Sequence, residues 1–457
     1  MDHFRFHPKR TAFTCAVITF LVFLFSYQLI IGSGLIPGAN KSVDQRTKRL
    51  ENAANRRITV EGAFLDHNGD LITQAEEPGT PAVLLYDAPY AHIIGYNSNM
   101  YGTSGLRGRL YDNLYYGGKD GVGATVTLTT TNDLQQFCYD RLGANKGCII
   151  VMNAETGALM AIASRSDAGL AYTVNDIDKN FSEYASHNAF FLNPATTSEN
   201  PGGSTFKAVT STSLVENGME HYVYDDLDGV FTVGSASIHN YGNAVYGAGV
   251  DLQKALNKSC NTYFASAGVA VNAKNLYDTA TRFLYGQTIE LDFATLKSTF
   301  DLGNLNDRSL VARTAFGQGK VTVSPLQVAM TMGAIMNDGV MMKPYILENI
   351  TDDGKTILQA SPAAASNATD KETARKMQGY LHNVALSYGF EEEVYGRVYA
   401  KTGTADQSNG RNCCYYLMGV ETETGKYVIL VNYSDTYGTS SNLKKAATDI
   451  LAYLVTM

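Results

Sequence analysis

The chain lacks the short motifs that mark several common enzyme and binding classes. It has no Cys-x-x-Cys pair and no His-Glu-x-x-His segment, which excludes zinc ribbons, thioredoxin-like redox sites and zincin-type proteases. It also has no Gly-x-Ser-x-Gly elbow, the turn that carries the nucleophile of α/β-hydrolases. Its six cysteines are too few and too scattered for a disulfide scaffold.

Basic residues are also scarce and are not concentrated in any stripe. The 457 residues include 36 Lys plus Arg against 44 Asp plus Glu, which gives a net charge of −8. Such a chain offers no basic surface to neutralise phosphates, so we exclude a nucleic-acid partner. A hydrophobic content of 45% excludes a disordered or fibrous chain. The length allows two to four domains.

Charge is missing altogether from residues 11–40. The apolar part, residues 12–32, is long enough to cross about 30 Å of hydrocarbon as a helix. It exceeds the roughly 7–15 apolar residues of a cleavable signal peptide, and no Ala-x-Ala site follows it. Lys9 and Arg10 precede the span directly, whereas the next positive charge is Lys41. We expect a single-pass signal anchor in the cell membrane, with everything after it extracytoplasmic.

The rest of the chain divides into unequal parts. We predict a cytoplasmic tail (1–10), the transmembrane anchor (11–32), a juxtamembrane linker (33–57), an N-terminal non-catalytic module (58–144) and a larger domain (145–457). Strand-turn-strand patterns at residues 148–164 and 415–434 lie near the two ends of the larger domain, and its middle is helical in pattern. This arrangement predicts an α+β domain whose sheet is completed by both ends.

Shorter elements are predicted around these patterns. They are a hairpin turning at Asn68-Gly69, a strand at residues 125–129, a helix at 133–142 and a final helix at 443–457. Neighbouring Cys413 and Cys414 should point to opposite faces of a strand. A Cys138–Cys148 disulfide stays open, although buried free thiols are the expected state.

The segment Ser204-Thr205-Phe206-Lys207 follows a turn signal at residues 200–203. On a helix, residues three apart share a face, so the Lys207 amine would lie next to the Ser204 hydroxyl. Serine is a weak nucleophile until a base takes its proton. Lysine can be that base near pH 7 only if burial or a neighbouring cation lowers its pKa. Alone, this spacing more often marks an exposed Ser and Lys one turn apart.

Two further segments carry polar groups suited to a cleft. In Ser259-Cys260-Asn261, at the end of an expected helix, the Ser could relay protons and the Asn could hold substrate, although a simple turn fits as well. Lys401-Thr402-Gly403-Thr404 lies in an alternating strand, where a small Gly permits close backbone approach. An ordinary hairpin edge is the alternative here.

Taken in this order, S-x-x-K, S-x-N and K-T-G are shared by penicillin-binding proteins and class A β-lactamases. The segments NPGGSTFK, NKSCNTYF, TAFGQGKVTVSPLQVAM and AKTGTA read close to the family consensus. The chain resembles a class B penicillin-binding protein over nearly everything after residue 56. Two module segments, residues 62–72 and 93–114, are also similar, but Glu61 replaces an expected Arg and Arg107 stands near an expected acid.

The resemblance implies a penicillin-binding/β-lactamase-like transpeptidase domain, in which helices flank a five-stranded antiparallel sheet. It implies a serine-type D-Ala-D-Ala transpeptidase that cross-links peptidoglycan stem peptides and is inhibited by β-lactams. From the family, we expect Ser204 to be the nucleophile, Lys207 the base and Ser259 the proton shuttle. The residues expected to bind substrate are Asn261, Lys401, Thr402, Gly403 and Thr404. The backbone N–H groups of Ser204 and Thr404 would form the oxyanion hole. No metal or organic cofactor is implied.

Other readings compete with the transpeptidase. A D,D-carboxypeptidase would differ only in using water as acceptor, and a β-lactam-binding scaffold would have a vestigial site. A β-lactamase is disfavoured because no glutamate between Ser259 and Lys401 begins an E-x-x-x-N pattern. Since the chain has no glycosyltransferase segment, the resemblance also suggests a membrane partner, a SEDS-type glycosyltransferase.

Overall fold

The fold is described from a computed structural model of the chain, for residues 58–116, 120–187, 190–303, 305–407 and 410–456. The predicted tail, signal anchor and linker lie outside these residues. Within the described ranges, no helix is both long and apolar enough to span a membrane.

Short strands and helices alternate before residue 145. In chain order they are β1 Phe64–Leu65, β2 Thr73–Gln74, β3 Val83–Leu84, α1 Asp87–Ile94, β4 Asn97–Ser98, β5 Gly102–Thr103, α2 Gly105–Arg109, α3 Tyr111–Tyr116, β6 Thr125–Leu128 and α4 Asn132–Leu142. The predicted strand at 125–129 and helix at 133–142 are thereby confirmed.

Longer elements build the rest of the chain. They are β7 Gly147–Asn153, β8 Leu159–Arg165, α5 Ile177–Ser186, α6 Pro194–Thr197, β9 Asn200–Pro201, α7 Lys207–Glu216, β10 Tyr224–Asp226, β11 Val230–Val233, β12 Ala236–His239, β13 Gly247–Val250, α8 Leu252–Lys258, α9 Asn261–Ala270, α10 Ala273–Arg282, β14 Thr299–Phe300, α11 Arg308–Ala315, β15 Val321–Val323, α12 Pro325–Met336, β16 Val340–Met342, β17 Leu347–Asp352, β18 Lys355–Gln359, β19 Ala364–Asn367, α13 Lys371–Ser387, α14 Glu392–Tyr395, β20 Arg397–Asp406, β21 Asn412–Thr422, β22 Gly425–Thr436 and α15 Lys444–Val455.

The main sheet has five antiparallel strands in the order β20-β21-β22-β7-β8. Both predicted hairpins, β7–β8 and β21–β22, lie in it, so strands from the two ends of the domain pair directly through β22 and β7. Alternate residues enter different cores, as the two-residue period of a strand requires: Ile149 packs on one side and Ile150 on the other. The α+β prediction is confirmed.

The five cysteines in the described residues are free and buried. Cys413 and Cys414 face the two different cores, as the sequence predicts. Cys138 and Cys148 are also in different cores, with Cys138 on α4 and Cys148 on β7. A disulfide between them is therefore absent, because the sheet separates the two thiols.

The hairpin predicted at Asn68-Gly69 is only partly right. The chain does reverse there: Gly69 has φ +87°, and the Asp66 N–H donates to the Asp70 carbonyl. However, β1 pairs in parallel with β6, and β2 pairs with β3. Strand β6 also pairs with β17. A four-stranded sheet, β1-β6-β17-β18, thus contains strands from both the predicted N-terminal module and the predicted larger domain.

The two unexpected residues of the module face each other. Arg107 Nε donates to Glu61 Oε1 at 2.7 Å, with the side chains 2% and 0% exposed. Arg107 also donates to the Gly95 and Ala82 carbonyls. Glu61 Oε2 accepts from Tyr115 Oη at 2.7 Å and from the Ala82 N–H. A buried ion pair with all of these partners fixes how helices α1, α2 and α3 meet.

Removing one member of this pair should strongly destabilise the protein. Arg107→Ala leaves the Glu61 carboxylate buried without its cation, so we expect the free energy of unfolding to fall by about 3–5 kcal/mol. Denaturant unfolding followed by circular dichroism measures the loss. Lys179→Ala, which breaks the exposed pair with Asp176, is the control and should leave the unfolding midpoint unchanged. Equal midpoints for the two variants would contradict the prediction.

Candidate active site

The three predicted motifs meet at one cleft. It has a volume of about 670 Å³, and its lining includes Ser204, Ser259, Asn261, Thr402 and Thr404. The amines of Lys207 and Lys401 reach the same place from fully buried side chains. The three motifs, which are far apart in the sequence, are therefore neighbours in space.

Ser204 lies in a 3-10 turn, Gly203–Phe206, and Lys207 is the first residue of helix α7. The α-helix therefore begins three residues after Ser204, and the 3-10 turn runs directly into it. The Gly203 N–H donates to the Gly317 carbonyl at 2.9 Å. Gly317 has φ +87°, and a Cβ there would lie 1.7 Å from the Gly203 carbonyl oxygen. A glycine is thus required at 317 to brace the turn that carries Ser204.

Ser259 ends helix α8 in the left-handed conformation, with φ 52° and ψ 42°. The Cys260 N–H donates back to the Ala255 carbonyl, which is the capping bond that usually accompanies a glycine at this position. A left-handed serine costs about 1–2 kcal/mol relative to a right-handed one. Such strain in a cleft residue is typical of functional sites. Helix α9 then starts at Asn261, so the turn presents Ser259 and Asn261 together.

The Lys207 amine is held by three oxygen atoms. Its Nζ lies 2.7 Å from the Ser259 carbonyl, 3.0 Å from Ser259 Oγ and 2.7 Å from Asn261 Oδ1. The Nζ atom also lies 5.5 Å from the centre of the Phe264 ring. In the described part of the chain, no hydrogen bond joins Lys207 to Ser204 Oγ. The hydrogen-bond partners of the Lys207 amine belong instead to the Ser259–Asn261 turn.

Lys401 approaches the same serine from strand β20. Its Nζ lies 3.2 Å from Ser259 Oγ and donates to the Thr402 carbonyl at 2.8 Å. Ser259 Oγ therefore bridges two lysines. The hydroxyl can accept from Lys401 and donate to the lone pair of a neutral Lys207, which makes a continuous path for a proton.

The other residues of β20 divide between the cleft and the core. Thr402 and Thr404, two residues apart, are half-buried and line the cleft. The Thr402 hydroxyl contacts Tyr388 Oη at 3.0 Å, and Thr404 Oγ1 accepts from the Ser440 N–H. Gly403 is buried against the Gly203–Phe206 turn, where a Cβ would come within 3.1 Å of Thr205 Cγ2. Its predicted part in substrate binding stays a prediction.

Burial changes the acid-base behaviour of both lysines. It lowers the pKa of Lys401 to about 7. Burial, and then the nearby charge of Lys401, hold the pKa of Lys207 well below its usual range. Both causes favour the neutral form of the Lys207 amine. An amine that loses its proton so readily is suited to act as a base.

Several residues that line the cleft are not part of the predicted motifs. Among them, Asn240 and Tyr246 lie between the first and second motifs, in a segment that matches no familiar pattern. The sequence therefore carried no signal that would have placed them at the cleft. Among the described residues, no group of three or more His, Cys, Asp or Glu is placed to hold a metal ion.

A cleft serine beside a buried lysine pair has the groups for acyl transfer, and the fold and site define a serine-type acyltransferase. The family model described as penicillin binding protein transpeptidase domain matches residues 147–453. The chain belongs to this family. The prediction of a class B penicillin-binding protein is confirmed.

Relatives and solved structures agree with this assignment. Peptidoglycan D,D-transpeptidase PbpA of Mycolicibacterium smegmatis is 25% identical over 384 residues, which are 76% of this chain and 77% of that protein. The solved D,D-transpeptidase domain of peptidoglycan glycosyltransferase from Eggerthella lenta has a TM-score of 0.76 at 26% identity, and the match covers 87% of this chain and 98% of that one. The ceftriaxone acyl-enzyme complex of penicillin-binding protein A from M. tuberculosis has a TM-score of 0.77 at 21% identity, and the match covers 88% of this chain and 100% of that one. The last likeness shows the fold alone.

The lysine pair predicts how acylation depends on pH. Because the pKa of Lys401 is about 7, its positive charge is present below that pH and is lost above it. A β-lactam carries a carboxylate that this charge would attract, so the second-order rate constant for acylation should fall as pH rises through about 7. Stopped-flow or intact-mass kinetics with benzylpenicillin between pH 5 and 9 measure it. Thermal unfolding at each pH is the control, and a constant rate between pH 6 and 9 would contradict the prediction.

Proposed function

We propose that the chain is a peptidoglycan D,D-transpeptidase that works through an acyl-enzyme on Ser204. The supporting observation is the hydrogen-bonded set around Ser259 Oγ, which joins Lys207 and Lys401 beside the Ser204 turn. The family and the PbpA relative point to the same chemistry. The substrate is the D-Ala-D-Ala end of a stem peptide, and β-lactams acylate the same serine.

In the first half-reaction, Ser204 Oγ attacks the carbonyl carbon of the penultimate D-Ala, and Lys207 takes the hydroxyl proton. The negative oxygen of the tetrahedral intermediate is stabilised by the backbone N–H groups of Ser204 and Thr404. The proton then passes through Ser259 to the amine of the terminal D-Ala, whose C–N bond breaks. Thr402, Thr404 and Lys401 hold its carboxylate, and Asn261 holds the peptide backbone.

In the second half-reaction, the amine of a neighbouring strand attacks the ester carbon of the acyl-enzyme. That amine loses a proton to the same base, the ester bond to Ser204 breaks, and Ser204 recovers a proton. The net change is one peptide bond exchanged for another, with D-Ala released. Water in place of the amine would give the carboxypeptidase reaction with the same groups.

We also propose that residues 11–32 anchor the chain in the membrane, with the catalytic domain outside. A membrane glycosyltransferase of the SEDS type would bind the anchor and the N-terminal module. The motive is that the matching family model is a transpeptidase domain, whose reaction needs glycan strands made by a glycosyltransferase. In the module, Val83 and Leu85 expose 52% and 48% of their surface, which suits a protein contact.

Acylation of Ser204 is the decisive test of the enzyme. The full chain in detergent should gain the mass of one benzylpenicillin, and Ser204→Ala should gain none, because the nucleophile is lost. Intact mass spectrometry measures the adduct, and Ser235→Ala, an exposed serine, is the control that should keep it. A folded parent chain without adduct would support the vestigial scaffold instead. Rapid loss of the adduct with hydrolysed drug would indicate a β-lactamase.

The partner can be tested without removing the module, whose strands pair with β17. We expect co-purification with a SEDS glycosyltransferase to be lost when residues 11–32 are replaced by an unrelated span and Val83→Asp and Leu85→Asp are added. Val394→Asp, at a similarly exposed site on α14, should retain it. Co-purification that survives all three changes would overturn this part of the proposal.

A further inference from the structure

We propose that Asp226 and Asn240 are positioning residues for the Ser259-Cys260-Asn261 turn. The inference rests on the proposed function, since it concerns how this turn serves acylation of Ser204. Neither residue belongs to the three motifs. Both lie in residues 224–250, which we call the 224–250 excursion, and they act through Asn261 and its helix.

In the chain, the 224–250 excursion lies between the helix that carries Lys207 and the helix that leads to Ser259. It follows helix α7, which begins at Lys207, and precedes helix α8, which ends before Ser259. Its strands pair with one another, β10 with β13 and β11 with β12. Its tip, residues 237–242, lines the cleft. The excursion therefore lies against the Ser259–Asn261 turn and forms one wall of the site.

Asp226 is the buried centre of this wall. Its side chain is fully buried, and no ion pair with it occurs in the described residues. Its Oδ2 accepts from the Tyr246 N–H at 2.7 Å and from Asn240 Nδ2 at 3.0 Å. Its Oδ1 accepts from the Thr262 hydroxyl at 2.8 Å. A buried carboxylate held by donors alone dictates the orientation of every group around it.

Asn240 transmits that orientation to the catalytic turn. Because its Nδ2 faces the Asp226 carboxylate, its Oδ1 must face the other way. There it accepts from the backbone N–H of Asn261 at 2.8 Å and of Thr262 at 3.2 Å. These are N–H groups of the first turn of α9, which have no partner within the helix. Rotating the amide would turn its N–H groups toward these donors and break both bonds.

The same segment holds the Asn261 side chain. Asn261 Nδ2 donates to the His239 carbonyl at 3.0 Å, which leaves its Oδ1 to accept from Lys207 at 2.7 Å. On the other side of the turn, Tyr246 Oη donates to the Lys258 carbonyl at 3.2 Å. Asp226 thus fixes two residues that contact the turn, one on each side of Ser259. The position of the Lys207 amine depends on this arrangement.

The test uses an isosteric substitution in the full chain in detergent. Asn240→Asp replaces the donor to Asp226 by a second carboxylate, which repels the first and releases the Asn261 N–H. We expect the first-order acylation rate at saturating benzylpenicillin to fall about 10-fold or more, because small displacements of a proton acceptor cost that much. Asn243→Asp makes the same change at an exposed position of the excursion and should stay within about 2-fold of the parent.

A second pair of variants separates positioning from loss of fold. Thr262→Val keeps the shape but removes the hydroxyl that donates to Asp226, whereas Thr262→Ser keeps the hydroxyl. We expect Thr262→Val to acylate about 5- to 10-fold more slowly and Thr262→Ser to stay within about 2-fold of the parent. If the hydroxyl positions the turn, Thr262→Ser keeps the rate and Thr262→Val loses it at similar melting temperatures. If Thr262 acted only by packing, Thr262→Ser would be the slower variant, because it lacks the methyl group.

The outcomes distinguish this inference from the proposed function. A parent chain that forms no adduct overturns the proposed function and this inference with it. If the parent is acylated and Asn240→Asp is acylated at the same rate, only the positioning role is overturned. Equal rates for Thr262→Val and Thr262→Ser overturn it as well.

Discussion

The site depends on keeping two lysine amines buried around one serine hydroxyl. Lys207 and Lys401 are fully buried, and both contact Ser259 Oγ. Removing two ammonium groups from water is costly, so the site lowers their pKa values and surrounds the amines with oxygen atoms. In the proposed function, this burial is what would allow Lys207 to act as a base. The Ser259 conformation, the Asn261 side chain and the strand β20 all serve this one arrangement.

Three separate elements must be held at fixed distances for that arrangement to exist. The Ser204 turn is braced by Gly317, and strand β20 lies close to the turn because Gly403 has no side chain. The Ser259–Asn261 turn is held by the 224–250 excursion through Asn240 and Tyr246. In the main sheet, β20 is the edge strand and is held by its pairing with β21. Backbone packing at glycines and a buried hydrogen-bond network therefore hold the three elements in place, which no single motif residue could do.

Sequence patterns were reliable where a local period or a short motif carried the signal. The strands with two-residue alternation, the helix at Asn132–Leu142 and the terminal helix were all predictable. The hairpin at Asn68-Gly69 was only partly right because the turn is local while its strands find partners elsewhere. Glu61 and Arg107 looked like departures from the family pattern, yet they pair with each other. Their pairing arises because helix α2 packs beside the segment before β1. A motif read along the sequence carries no information about that packing.

The class of protein could be assigned from the sequence, because three short motifs occur in the order that the family shares: Ser204 to Lys207, Ser259 to Asn261, and Lys401 to Thr404. The sequence also predicted a sheet completed by both ends of the domain. The hydrogen bonds from Lys207 to Ser259 and Asn261, and the Asp226–Asn240 contact behind them, could be seen only in the folded chain. The physical reason is that pKa values and hydrogen-bond partners depend on burial and distance. Both are properties of residues brought together from distant parts of the chain.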